Sequence, residues 1–72
     1  MKEERSLTYA KQSFKRNIDK YSIAESLLVA IYENGLRIDE LDSLKEYAIK
    51  LLPNDEYIIN LTIDDYKKEC ME

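Results

Sequence analysis

The chain has no histidine and one cysteine, Cys70. Without an imidazole it has no ordinary general base near neutral pH and no Ser-His or Cys-His pair. A single thiol can make neither an internal disulfide nor, with histidine absent, a Cys/His zinc site. Cys70 is also placed at a helix C-terminus, where the dipole disfavours a thiolate nucleophile. The acidic pairs Asp55-Glu56 and Asp64-Asp65 are adjacent, hence about 100° apart on a helix and badly placed for joint acid/base work. The only glycine, Gly35, rules out a Gly-rich phosphate loop, and EF-hand spacing is missing. No apolar run nears the ~20 residues that span a bilayer, and no signal-peptide core is visible. These absences predict a cytoplasmic protein that is not an enzyme, carries no metal or cofactor and has no membrane partner.

At 72 residues the chain is one domain, near the size at which a single core supplies only ~3–5 kcal/mol. With disulfide and zinc excluded, association with another chain is the remaining staple, and a homodimer is expected. Charge is divided along the sequence. Residues 1–20 carry six cations against three acids, net +3, and residues 21–72 carry five against twelve, net −7. The split fits a basic arm facing an acidic partner or nucleic acid, or a basic helix packed on its own acidic body. The Lys/Glu/Ile/Tyr-rich composition suggests an AT-rich bacterial or phage genome.

The remaining pattern is helical. Ser22 to Asn34 is the clearest element: Ser22 caps it, Glu25 stands at the capping-box position, and Asn34-Gly35 offers a left-handed stop. Ile23, Ala24, Leu27, Leu28, Ala30, Ile31 and Tyr32 cover about 200° of its surface, against ~100° for an ordinary surface helix, so at least two other helices must flank it. Residues 6–21 place Leu7, Ala10, Phe14, Ile18 and Tyr21 on a narrow seam. Leu36 and Ile38 are expected to plug one end of the bundle. Residues 39–52 form a third helix, with Asp39, Glu40 and Asp42 at its positive end and Pro53 as its stop. The window Tyr57–Ile63 is rich in β-formers, but no other run can pair with it. A short turn of helix from Asp55 to Leu61, uncertain over 55–61, and a last helix from Ile63 to Cys70 capped by Thr62 are preferred. The fold expected is thus all-α, a small bundle of three main helices plus a short C-terminal helix or helical turns.

A helix-turn-helix is conceivable around Gly35. Its second helix would open Asp39-Glu40-Leu41-Asp42, the wrong charge for a phosphate-lined groove. If DNA is bound, the basic first helix, with Arg16 and Lys20 beside Tyr9, is the better surface. An acidic decoy that imitates DNA would fit the −7 segment. Six tyrosines suit half-wet positions such as interfaces or the rim of a small core, and Val29 falls on the polar side of its helix between Glu25 and Glu33. The reading that survives is a protein-protein interaction module, an adaptor, inhibitor or assembly factor docking on a larger bacterial or phage protein. Its candidate contact residues are Tyr9, Lys11, Lys15, Arg16, Lys20 and Val29. A small helix-turn-helix-like DNA-binding transcriptional regulator is the alternative.

Overall fold

Ser22 and Gly35 mark the ends of the second helix as their chemistry requires. In the computed structural model, which describes residues 5–71, the Ser22 hydroxyl accepts the Glu25 N–H at 3.1 Å. Gly35 turns left-handed at φ 58°, ψ 46°, and its N–H reaches the Ile31 carbonyl, a conformation that costs glycine nothing and a side-chain-bearing residue about 1 kcal/mol or more. Between these signals runs α2 (Ile23–Asn34), preceded by α1 (Arg5–Asn17) and followed by α3 (Ile38–Leu51) and α4 (Glu56–Met71). A 3-10 turn at Pro53–Asp55 leads into α4. The described residues contain four α-helices and no strand. Lys2, Glu3 and Glu4, part of the charge reckoning above, lie outside them.

The bundle is closed in the order α1, α2, α4, α3. Helix α1 packs on α2 and α3, α4 packs on the same two, and α1 and α4 stand diagonally across the core. Phe14, Leu27, Ile31, Leu41, Leu44, Ile59 and Ile63 are its largest fully buried apolar side chains, with Ala10, Ala30 and Ala48 allowing close approach. Every helix contributes to one cluster, so removing any helix exposes the apolar faces of its neighbours.

Two boundaries differ from expectation for a local reason. The first helix was expected over 6–21 and stops at Asn17, whose carbonyl accepts the N–H groups of both Lys20 and Tyr21 at 2.9 Å. Ser22 must be extended (φ −63°, ψ 163°) to cap α2, so the chain leaves the helix before it. Tyr21, counted in the buried seam, is consequently exposed. The third helix, expected over 39–52, begins at Ile38, because Arg37 is the extended residue and the Glu40 carboxylate accepts its N–H at 2.9 Å. This is half of a capping box, since arginine has no acceptor to return the bond. Leu36 does plug the bundle end, whereas Ile38, drawn into the first turn, is 40 % exposed.

The largest correction concerns the C-terminus. The short helix expected over 63–70 and the uncertain stretch 55–61, all but Asp55, are parts of one 16-residue helix, the longest among the described residues. Thr62, expected as a cap, lies inside it and donates its hydroxyl to the Ile58 carbonyl at 2.8 Å. Ile59, Thr62, Ile63 and Tyr66 fall at helical spacing on one face, and burial of Ile59 and Ile63 outweighs the β preference of the window.

Two expected results test the packing. Ser26 is fully buried and its hydroxyl has no hydrogen-bond partner among the described residues, a state that costs about 1–3 kcal/mol. Ser26→Ala should therefore raise the urea-unfolding free energy by roughly 1–2 kcal/mol, alanine also being the better helix former; a fall would show that the hydroxyl is satisfied. Across the α3–α4 seam, Lys67 Nζ lies 2.7 Å from Asp42 Oδ1. The hydrogen bond from Lys67, joined by the charges of Lys67 and Lys45 and opposed by burial, holds the Asp42 carboxyl below its ordinary 3.8. A depressed acid stabilises the fold above its unfolded value and loses that contribution as pH falls through the folded one. Solvent screens this 59 %-exposed carboxylate, so Lys67→Met should cost only about 0.2–1 kcal/mol at neutral pH. The difference from wild type should shrink in acid below 3.8, and a difference constant with pH would mean that the stem of Lys67, not its charge, matters.

Candidate interaction surface

The six residues singled out from sequence do not form one patch. On α1, Arg5, Tyr9, Gln12 and Arg16 follow one another at helical spacing along the side turned away from the core, and all four are exposed. Tyr9 thus has Arg16 on its own stripe, with Arg5 one turn before it. Lys15 is exposed on the flank of that stripe, and Lys20 is exposed in the turn after α1. Lys11 leaves the stripe and crosses toward α3, its ammonium 5.6 Å from the centroid of the Tyr47 ring, within reach of a cation–π attraction. Val29 is half-buried on α2. Helix α1 holds four cations and no acid.

A second feature was not foreseen. Between α2 and α4 runs an open groove of about 280 Å³, with Ala24, Leu28 and Tyr32 on one wall and Thr62, Asp65, Tyr66 and Glu69 on the other. Tyr32 and Tyr66 meet edge to face, centroids 5.6 Å apart at 71°, a preferred aromatic arrangement. The Cys70 thiol four residues on, with burial, holds the Tyr66 phenol above its ordinary 10.0. The charged side chains of the lining, Asp65 and Glu69, are both acidic. Small-molecule sites usually measure about 300–1,000 Å³; this one is smaller and open.

The groove explains why α2 has so wide an apolar arc. Ala24, Leu28 and Tyr32 were counted with the core face, but α1 and α4 cover only part of it: Ala24 and Leu28 are half-buried and Tyr32 is 63 % exposed. The sequence signal was the excess width of that arc. What hid the groove was its second wall: Asp65, Tyr66 and Glu69 also fall within the expected 63–70 helix, but that this face borders α2 is fixed only by the packing of Ile59 and Ile63 into the core. Farther round α4, Tyr57 and Leu61 are exposed on its outer side.

Around Gly35 the arrangement disfavours a DNA-reading helix pair. Helices α2 and α3 do not pack along their lengths, and the start of α3 presents Asp39 and Asp42 to solvent while Glu40 folds back on Arg37. No group of three or more acidic or cysteine side chains could hold a metal ion among the described residues, and none of their helices is long and apolar enough to cross a membrane. Comparison with known protein families, curated proteins and solved structures finds no match, so a functional reading rests on the surface of this chain.

Proposed function

We propose that this chain is a non-enzymatic interaction module, an adaptor, inhibitor or assembly factor that docks on other protein surfaces and associates with itself. The observation that carries the reading is the tyrosine-lined groove between α2 and α4: Leu28, Tyr32 and Tyr66 line it, open to solvent, together with the acidic Asp65 and Glu69. Such a lining gains by covering, since each square ångström of apolar surface removed from water contributes about 25 cal/mol, and tyrosine is enriched where proteins meet. The alternative, a DNA-binding regulator, draws on the exposed cations Arg5, Lys15 and Arg16. Titrating a labelled random duplex at increasing salt separates the two. Docking on protein predicts weak or no binding, whereas a log K that falls steeply with log salt from a tight low-salt complex would favour DNA and overturn the proposal.

A further inference from the structure

The geometry points to a second copy of this chain as an occupant of the α2–α4 groove, with the outward stripe of α1 as the inserted element, so that copies join head to tail. This deepens the docking reading and rests on it. Charge complementarity is the first support: α1 carries four cations and no acid, while α2 and α4 together carry six acids against two lysines, and one of those, Lys67, is drawn to Asp42 on the α3 side. Shape is the second. The stripe presents Tyr9, 52 % exposed, with Arg5 and Arg16 on either side of it along the helix. A ring seated against Leu28, Tyr32 and Tyr66 would bring those guanidinium groups toward Asp65 and Glu69, where Arg–carboxylate pairing adds direction to the contact.

Topology decides the symmetry. Helix α1 stands diagonally across the core from α4, so its outward stripe and the groove look out from different sides of the bundle. A two-fold dimer needs both halves of the contact on one face, and two separated patches make a heterologous junction, which runs on as an open chain or closes into a ring of three or more copies. The two-fold pairing of basic helix with acidic body that the charge split alone suggests is therefore replaced by a head-to-tail series of copies.

Sedimentation equilibrium with complementary half-interface variants tests this. Wild type should show a weight-average mass that rises with concentration past twice the 8.5 kDa monomer and falls with added salt. D65N/E69Q neutralises the groove and R5Q/R16Q the stripe; each variant alone should remain monomeric, with a far-UV melt like that of wild type because all four positions are exposed. Tyr9→Ser is a second way to disable the stripe. Mixed, the two double variants retain one intact junction and should stop at a one-to-one pair. A wild type monomeric at millimolar concentration would overturn the inference, and so would growth that ends at a closed dimer, or a mixture that stays monomeric. A wild type that stays monomeric also removes self-association from the proposed function, while the DNA titration tests docking on other proteins separately.

Discussion

Leu27→Ala should all but unfold the protein. Leu27 is fully buried at the middle of the helix that touches both α1 and α4. Truncating a leucine in such a place costs about 2–5 kcal/mol, the larger values where the surroundings cannot collapse into the space. Collapse is restricted here because helices on both sides of α2 are also tied to α3. A core of this size supplies only ~3–5 kcal/mol in total, so the variant should have lost most of its far-UV helix signal at room temperature. A variant melting within a few degrees of wild type would show that α2 is not the centre of the fold.

Asn60→Pro is the second large effect. Asn60 is half-buried and lies one turn inside α4, so its side chain contributes little packing of its own. A proline there removes one intrahelical hydrogen bond and sets its ring against the preceding turn, at about 3 kcal/mol or more. Were the chain extended rather than helical over residues 56–61, the same substitution would meet neither that bond nor that clash and would cost far less. Urea unfolding reads the difference directly, and a loss below about 1 kcal/mol would contradict a continuous helix by the same reasoning.

These substitutions fall at opposite ends of what the amino-acid order revealed. Helix α2 was legible because its end signals are local: a serine hydroxyl within reach of the third N–H, and a glycine able to turn left-handed. Leu27 and Ile31 as its buried centre followed from periodicity. The helical character of α4 was legible but its continuity was not, because Ile58, Ile59, Thr62 and Ile63 carry a local β preference that only the packing of Ile59 and Ile63 into the shared core reverses. Thr62 compounded the ambiguity, since its hydroxyl can cap a helix or bond back to the carbonyl four residues earlier, as it does to Ile58. The end of α1 was misjudged for a related reason: continuing its seam to Tyr21 conflicts with the extended backbone that Ser22 needs.

The surface followed the same division. A basic outward face on α1 could be read from spacing, and the structure places Tyr9 and Arg16 together on it; Lys11, two residues from Tyr9 and so on another side of the helix, reaches the Tyr47 ring on α3 instead. A groove needs two walls side by side, and that α4 lies against α2 follows from tertiary packing rather than from the order of residues in either helix. Cys70 shows how far composition reaches: it is a free, exposed thiol as expected, while its contact with the Tyr66 phenol depends on both residues belonging to one helix.

The central claim is that this protein works through the α2–α4 groove and the outward face of α1 rather than through chemistry, and a dilution series followed by amide NMR tests it most directly. As the protein is concentrated, two separated sets of amides should shift along one concentration curve: those around Arg5, Tyr9 and Arg16, and those around Leu28, Tyr32, Asp65, Tyr66 and Glu69. Shifts confined to other faces of the bundle, or none up to millimolar concentration, would contradict the account.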